Sequence, residues 1–187
     1  LGLRAPFTMS KRSALKRGER CDSDWCEVRH SGIHGRGLFA KQRIPENTAV
    51  IQYIGEKIDK EESTTRGWAQ IDLAKLTGDA AVYIFALDDD YDLDGKTPKN
   101  AARLINHSCS PNCESYIDEG EIWIASLREI AEGEELFFNY GFDLDYFEDH
   151  PCLCGSTNCV GFIAGEEFWT DLKKRLAKPA RKKKQKG

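Results

Sequence analysis

The sequence predicts a β-rich α+β domain that is assembled from small β-sheets, with helix as a minor component. Short runs of β-branched and aromatic residues recur along the chain and end at glycines or acidic turns, a pattern typical of short strands. Few segments carry apolar residues at helical spacing. The 187 residues leave room for one domain with a core of its own, plus small additions.

Four segments are predicted to be strands: residues 50–54 (VIQYI), 81–87 (AVYIFAL), 121–127 (EIWIASL) and 135–140 (ELFFNY). The first and the last end at glycines. The second runs into an acidic turn over residues 88–94, and the third alternates apolar and polar residues with a period of two. These short strands are the main evidence for several small sheets.

Two regions favour helix instead. Residues 59–76 are rich in Glu, Lys, Ala and Leu and predict one or two short helices, within a segment at residues 59–80 that is named the insert below. Residues 165–176 place Phe168, Trp169, Leu172 and Leu176 at helical spacing and predict a closing helix. We therefore expect a basic, flexible segment at residues 1–27, a main domain at 28–146, a cysteine-rich segment at 147–164, and a helix with a basic disordered tail at 165–187.

The net charge of −4 conceals a strong asymmetry. Residues 1–20 hold 6 of the 27 basic residues and residues 173–187 hold 9, so that residues 21–172 carry 12 basic against 30 acidic residues, a net of −18. Such a body attracts cationic partners and repels nucleic-acid phosphates, although an acidic surface also serves solubility alone. The basic termini predict weak contact with nucleic acid, a localisation signal, or merely solvated ends.

Nothing in the sequence predicts contact with a membrane. No run of about 18 apolar residues is present, and residues 1–20 lack the apolar stretch of a secretory signal. The seven cysteines therefore predict thiols or metal ligands rather than a disulfide framework. We expect an intracellular protein.

The cysteines give the first strong signal for a functional site. Cys152, Cys154 and Cys159 form the pattern C-x-C-x4-C, and three thiols so close in sequence can wrap a metal ion. Zinc prefers four tetrahedral ligands, so a fourth must come from elsewhere. Cys109 and Cys113 are both candidates, and the spacing alone does not choose between them.

Three further segments indicate a polar site. Residues 103–113 (RLINHSCSPNC) place polar side chains between an apolar pair and a Pro-Asn turn, and residues 34–40 (HGRGLFA) hold two glycines that let the backbone approach a ligand closely. Residues 135–142 (ELFFNYGF) end an aromatic strand in Tyr140, whose ring can pack while its hydroxyl faces a cleft. Each pattern alone is also compatible with an ordinary turn or a core strand.

Taken together and in this order, HGRGLFA, YIFALD, RLINHSCSPNC, ELFFNYGF and CLCGSTNC resemble the SET-domain lysine methyltransferases over residues 28–160. The resemblance implies the SET-domain fold of small β-sheets with a knot-like core, half of which is the NHSC segment and half the strand that carries Tyr140. It also implies a C-terminal post-SET segment stapled by a structural zinc ion.

The resemblance further implies roles for single residues. Those that match cofactor contacts, with S-adenosyl-L-methionine as the cofactor, are Gly35, Arg36, Gly37, Asn106, His107, Tyr140 and Leu153. Those that match the catalytic site are Tyr140, with Tyr83 and Phe138 lining the channel for the lysine. Those that match the zinc ligands are Cys109, Cys152, Cys154 and Cys159. Asn139 departs from the family, which commonly has aspartate before the catalytic tyrosine.

We accordingly expect methylation of lysine in a basic protein such as a histone tail, and a monomer. Phe138 predicts di- or trimethylation, since a phenylalanine leaves room for an amine that already bears methyl groups. The expected location is the nucleus or chromatin in a eukaryote, and the cytoplasm or export as an effector in a bacterium. The alternatives are a methyltransferase of a non-histone protein and a non-catalytic chromatin-binding module on the same fold.

A cysteine-based enzyme that uses Cys109 with His107 is a further alternative. It is disfavoured because neighbouring residues in a strand point to opposite faces, and because a nucleophile and its base normally meet through tertiary contact.

Overall fold

A computed structural model describes residues 23–77 and 82–177 of the chain. Residues 1–22 of the basic segment predicted at 1–27 and the predicted basic tail from residue 178 onward lie outside this range, whereas the end of that segment, from Cys26, is already part of a strand. The chain divides into two compact units. One comprises the residues up to Asn106 together with Pro111–Phe138, and the other comprises His107–Ser110 and the residues from Asn139 onward.

Four small sheets form the strand framework, and every strand pair with a defined register is antiparallel. The first sheet pairs β1 (Cys26–His30) with β2 (Arg36–Ala40). The second has the order β3-β9-β8, from β3 (Ala49–Tyr53), β8 (Cys113–Asp118) and β9 (Glu121–Ser126). The third has the order β4-β6-β5, from β4 (Glu56–Asp59), β5 (Ile84–Ala86) and β6 (Tyr91–Asp94). The fourth pairs β7 (Asn106–His107) with β10 (Phe137–Phe138).

This architecture confirms the predicted β-rich fold of small sheets. Strands β3 and β9 lie within one residue of their predicted positions, whereas the strands predicted at residues 81–87 and 135–140 shorten to β5 and β10. The acidic turn predicted over residues 88–94 is wrong in its second half, where β6 begins at Tyr91. Its ladders to β4 on one side and β5 on the other outweigh the weak strand propensity of aspartate.

Two α-helices complete the described structure. The insert forms one continuous helix, α1 (Lys60–Thr77), in place of the one or two short helices expected. The closing helix is present as a 3-10 turn, Glu166–Phe168, that leads into α2 (Trp169–Ala177). Within residues 23–77 and 82–177, neither helix has the length and apolar composition needed to cross a bilayer.

The first unit has an apolar core of its own. Along β9 the buried residues Ile122 and Ile124 alternate with half-buried ones before the strand becomes buried throughout. Isolated bridges between Ile44 and Ile130 and between Phe39 and Glu135 join segments that are far apart in the sequence. The largest fully buried apolar side chains of this unit are Leu38, Ile44, Ile105, Ile122, Ile124, Ile130 and Leu136.

The second unit has a smaller core built around α2. Leu172 is fully buried in a cluster with Leu144, Phe147 and Ala164. The indole N–H of Trp169 donates a hydrogen bond to the carbonyl of Ala164 at 3.1 Å. Of the four apolar positions that predicted the closing helix, Phe168, Trp169 and Leu172 pack on this core, whereas Leu176 is exposed.

Candidate active site and metal centre

The loop before β2 is closed by its own hydrogen bonds. The backbone N–H of Ser31 donates to the carbonyl of Gly35 at 3.0 Å, and the hydroxyl of Ser31 accepts from the N–H of Ile33 at 3.0 Å. Gly35 has a φ of +49°, which favours glycine, and a Cβ at this position would meet no atom within 4 Å. Gly35 therefore borders open space, as a backbone that approaches a ligand would.

Gly37 is required for a different reason. A Cβ built on Gly37 would collide with the carboxylate of Glu135 and lie 3.2 Å from the amide nitrogen of Asn106. The second glycine of the HGRG motif thus makes room for protein side chains, whereas the sequence pattern suggested close approach of a ligand at both glycines.

The Glu135 carboxylate links three segments of the first unit. Its Oε1 accepts a hydrogen bond from Nδ2 of Asn106 at 2.8 Å, and its Oε2 accepts from the Ser31 hydroxyl at 3.0 Å. Nδ2 of Asn106 also donates to the carbonyl of Arg36 at 3.2 Å. Both amide hydrogens of Asn106 are therefore used within the protein, and its Oδ1 is the atom left to accept a hydrogen bond from a ligand.

A cleft of about 400 Å³ lies beside this network in the first unit. It combines cationic and apolar side chains, and its lining residues are Val28, Arg36, Pro98, Lys99, Ala101, Arg103 and Leu104. Arg103 is fixed in part by a hydrogen bond from its Nε to the carbonyl of Thr97 at 3.0 Å. The volume suits a small-molecule ligand, and the guanidinium and ammonium groups suit an anionic one.

Aromatic side chains from three of the small sheets meet in the first unit. The rings of Phe85 and Phe138 are stacked with centroids 5.6 Å apart, and the ring of Tyr53 lies 4.6 Å from that of Phe85. The guanidinium of Arg103 lies over the ring of Tyr83 at 5.5 Å. Phe138 is buried and contacts Phe85, whereas Tyr83 is half-buried and contacts Arg103.

In the second unit, His107 contacts the backbone of Tyr140. The N–H of Tyr140 donates to Nδ1 of His107 at 3.3 Å, and the two rings meet edge to face at 5.3 Å. Burial lowers the pKa of His107 to about 4, so the ring is neutral at pH 7. Because Nδ1 accepts a hydrogen bond, the single proton of the neutral ring lies on Nε2.

Four thiols converge in the same unit. The sulfur atoms of Cys109, Cys152, Cys154 and Cys159 all lie within 4.8 Å of one another. Sγ of Cys109 is 3.8 Å from that of Cys152 and 3.9 Å from that of Cys159. A regular tetrahedron of sulfurs around zinc, with bonds of about 2.3 Å, has an edge of about 3.8 Å. The cluster could thus hold a metal ion, and its spacing fits zinc.

Hydrogen bonds surround these sulfurs. The backbone N–H of Cys109 donates to Sγ of Cys154 at 3.5 Å, and the N–H of Gly161 donates to Sγ of Cys159 at 3.4 Å. Although burial opposes ionisation of Cys154, hydrogen bonds from Ser156 and from the Cys109 backbone lower the pKa of its thiol to about 6. Donors aimed at sulfur favour the thiolate form that binds metal.

The structure chooses between the two candidates for the fourth ligand. Cys109 belongs to the cluster, whereas Cys113 is fully buried in strand β8 of the first unit. Burial raises the pKa of Cys113 to about 12, as expected for an inert core thiol. Leu153, which the resemblance assigns to the cofactor, is 67% exposed between two ligands of the cluster.

The prediction that His107 and Cys109 point to opposite faces of a strand is wrong. His107 and Cys109 do not face apart, because Nε2 of His107 lies 3.6 Å from Sγ of Cys109. The arrangement is nevertheless not that of a nucleophile and its base, since burial raises the pKa of Cys109 to about 11 and Nε2 already carries the proton. His107 is instead placed to donate a hydrogen bond from Nε2 to the sulfur of Cys109.

Sequence reasoning missed four residues that shape the site. Glu135 and Asn112 hold it through contacts across the first unit, and Lys99 and Arg103 line the cleft. Asn112, which is buried, donates to the carbonyl of Glu135 at 2.8 Å and accepts from the N–H of Phe137 at 2.8 Å. Asn112 lies in the Pro-Asn turn of the segment RLINHSCSPNC, and Arg103 is the first residue of that segment.

Comparison with known proteins adds to this geometry. Residues 35–141 match the SET domain family. The chain is 37% identical over 139 residues to "Histone-lysine N-methyltransferase, H3 lysine-4 specific" of Aspergillus fumigatus, which covers 71% of this chain and 11% of that protein. It is 37% identical over 159 residues to "Histone-lysine N-methyltransferase trr" of Drosophila melanogaster, covering 82% of this chain and 6% of that protein.

A fission yeast protein shows the same relationship. "Histone-lysine N-methyltransferase, H3 lysine-4 specific" of Schizosaccharomyces pombe is 39% identical over 137 residues, covering 71% of this chain and 14% of that protein. The chain spans about a tenth of the length of the curated relatives it matches.

Proposed function

The chain belongs to the SET-domain family, and we propose that it is a protein-lysine N-methyltransferase that uses S-adenosyl-L-methionine. The observation that carries the proposal is the network around Glu135, which fixes Asn106 and the HGRG loop beside a cationic cleft. The relatives are named histone-lysine N-methyltransferases, which supports the same activity.

The cleft supports cofactor binding by its charge and by its size. S-adenosyl-L-methionine supplies, when bound, a methyl group on a sulfonium. Arg36 and Arg103, with Lys99 at the rim, provide cations for the carboxylate of its methionine part. The open space at Gly35 and the acceptor oxygen of Asn106 suit its backbone-like amino end.

The aromatic region supports a channel for the lysine side chain. Free lysine has a pKa near 10.4, so about 1 in 2,000 molecules is neutral at pH 7. An apolar wall containing Phe138 and Phe85 desolvates the amine and lowers its pKa, which favours the neutral form that reacts. Tyr83 lines the same channel, and Tyr140 positions the reacting groups; alignment alone contributes several kcal/mol.

We assign di- or trimethylation to this channel. Phe138 is buried and packs on Phe85, so it offers no hydroxyl that could hold a water molecule in the channel. An amine that already bears methyl groups therefore keeps room to turn and react again.

We assign a structural zinc ion to the cluster of Cys109, Cys152, Cys154 and Cys159. The near-tetrahedral sulfur separations and the hydrogen bonds to sulfur support this choice of metal. A zinc ion held by residues more than forty positions apart fixes the post-SET segment to the turn that carries His107.

The substrate class we propose is a histone or a histone-like basic protein, with chromatin as the place of action. Residues 21–172 carry a net charge of −18, which draws lysine-rich tails towards the protein. The relatives are named as methyltransferases of histones and, for several, of lysine 4 of histone H3. Added salt should lower kcat/KM for a tail peptide, because it screens this attraction.

Labelled S-adenosyl-L-methionine and mixed core histones test the proposal directly. We expect label in a histone band with the wild-type protein, and a loss of at least about 100-fold with Tyr140→Phe. Cofactor binding without label in any protein would favour the non-catalytic chromatin-binding module. If the histones stay unlabelled and only non-histone proteins of an added cell extract take up label, the enzyme is a methyltransferase of non-histone proteins.

A further inference from the structure

Helix α1 attaches to the β4-β6-β5 sheet through polar side chains. Ser63, Arg66 and Gln70 follow one another at intervals of three and four residues and so share a face of the helix. Ser63 and Gln70 are buried, at 7% and 4% exposure. Their partners are carboxylates of β6, because Ser63 donates to Asp92 while Arg66 and Gln70 donate to Asp94.

Gln70 makes a contact that the other two do not. Its Nε2 donates to Oδ1 of Asp94 at 3.3 Å, and its Oε1 accepts from the backbone N–H of Tyr83 at 2.9 Å. Asp94 is buried, with 9% exposure. Its carboxylate can accept hydrogen bonds but cannot donate them, so the NH2 end of the Gln70 amide must face it. The other end is then committed to Tyr83.

The main chain of Tyr83 is held from the opposite direction as well. Its carbonyl accepts from the hydroxyl of Tyr53 at 3.0 Å and from the N–H of Gly95 at 2.8 Å. A Cβ on Gly95 would collide with the ring of Tyr53, so this approach is tight. The N–H of Tyr83 depends on Gln70, whereas the carbonyl is secured by the sheet itself.

From this arrangement we propose that Gln70, oriented by Asp94, is a positioning residue through which helix α1 sets the place of Tyr83 and thereby the shape of the lysine channel. The inference rests on the proposed role of Tyr83 in that channel. Anchoring of the helix does not explain Gln70, because Ser63 and Arg66 already attach α1 to β6. An apolar side chain would fill the same space without orienting the Tyr83 amide.

The first test compares Gln70→Met with Ser63→Ala. Both variants lose a buried polar contact of α1, but only the first loses the contact with Tyr83. For Gln70→Met we expect kcat on a histone tail peptide to fall at least fivefold and the ratio of mono- to trimethylated product to change at least threefold, with cofactor affinity within twofold of wild type. Ser63→Ala should leave the product ratio unchanged. Equal product ratios for both variants and wild type would overturn the proposal.

A reciprocal exchange guards against a simple loss of folding. Gln70→Glu sets two carboxylates against each other and should lower kcat by tenfold or more. Gln70→Glu combined with Asp94→Asn removes the repulsion between the two carboxylates and leaves an acceptor for the Tyr83 N–H, although it weakens the ion pair of position 94 with Arg66 and its hydrogen bond from the Lys96 N–H. We expect the double variant to recover the product ratio to within twofold of wild type. A double variant as impaired as Gln70→Glu would count against the positioning role.

Amide hydrogen exchange provides a readout that does not depend on catalysis. Gln70→Met should accelerate exchange at the Tyr83 amide at least tenfold, and Ser63→Ala should not. Unchanged exchange would refute the Gln70 contact. A wild-type protein that methylates no histone, yet shows the expected exchange, would contradict the proposed function and leave the positioning of Tyr83 intact.

Discussion

The neutral imidazole of His107 joins the backbone of Tyr140 to the sulfur of Cys109. Nδ1 accepts from the Tyr140 N–H at 3.3 Å, and Nε2 lies 3.6 Å from Sγ of Cys109. One ring therefore touches both the residue proposed for catalysis and a ligand of the proposed metal centre. A hydrogen bond from Nε2 to the Cys109 sulfur fixes the tautomer whose Nδ1 accepts from the Tyr140 N–H.

His107→Phe keeps a ring in this place and removes both hydrogen bonds. We expect methyl transfer to fall at least about tenfold and zinc to leave faster when a chelator is added, because Cys109 loses a neighbouring donor. A colorimetric zinc-release assay and a methylation assay measure the two effects. Wild-type release kinetics with normal activity would mean that the ring only fills space.

Zinc content should distinguish the clustered cysteines from the remaining described ones. Cys154→Ser should lower bound zinc from about one ion per chain to well below half, since a hydroxyl is a poor ligand. Cys113→Ala, which removes a buried thiol outside the cluster, should retain the metal. Elemental analysis of the purified variants measures the content. Loss of zinc in Cys113→Ala with retention in Cys154→Ser would reverse the ligand assignment.

Phe138→Tyr should change the product of the reaction. A hydroxyl added to this buried ring can hold water and crowd the amine, so monomethyl-lysine should accumulate where the wild type yields di- and trimethyl-lysine. Mass spectrometry of a peptide at long reaction times measures the distribution. Accumulation of monomethyl-lysine alone by the wild-type protein would refute the assignment of higher methylation.

Gly37 and Glu135 should be energetically coupled. Gly37→Ala forces a methyl group into the Glu135 carboxylate and should destabilise the protein by about 1–3 kcal/mol. In a Glu135→Ala background the same substitution meets less resistance, so its cost should shrink by about 1 kcal/mol or more. Denaturant unfolding of the four proteins measures the cycle. Additive effects would show that the collision is relieved elsewhere.

Acid should weaken the protein through Glu134. Burial opposes ionisation of this carboxyl, but hydrogen bonds from Arg128, the Ala131 N–H and Asn112 lower its pKa below the ordinary value. The unfolded chain therefore takes up a proton first as the pH falls. The stabilisation is complete above the ordinary pKa of about 4.5 and is lost as the pH falls through the lowered value.

Glu134→Gln tests this dependence. The variant should lose about 1 kcal/mol of unfolding free energy at pH 7, and it should lose less than the wild type does between pH 5 and 3. Urea unfolding at several pH values measures both quantities. A parallel decline of the two proteins over that range would assign the acid sensitivity to other carboxyls.

The sequence predicted the parts of this molecule that depend on short-range pattern. The spacing of Cys152, Cys154 and Cys159 indicated a metal centre, and the apolar positions of α2 indicated the closing helix. Strand β6 escaped prediction because its stability comes from ladders on both sides. Asn112 and Glu135 escaped because their partners lie more than twenty residues away along the chain.

Helix α1 shows the same limit in another form. Its buried positions are polar, so it lacks the apolar stripe by which an amphipathic helix is recognised in a sequence. The resemblance to the SET-domain family could supply the order of motifs and the choice of Cys109 as a ligand. It could not supply Gln70, because neither the resemblance nor the sequence of the insert indicates a partner for that side chain.

The polar attachment of α1 has a consequence for how such a protein diversifies. Three side chains, spaced about one turn apart, carry the docking described above, while much of the rest of the helix faces solvent. Substitutions on that exposed face can change the surface available to other proteins without disturbing strand β6 beneath the helix. The outer face of the insert can then change its contacts with other proteins while the contacts with β6 and Tyr83 are kept.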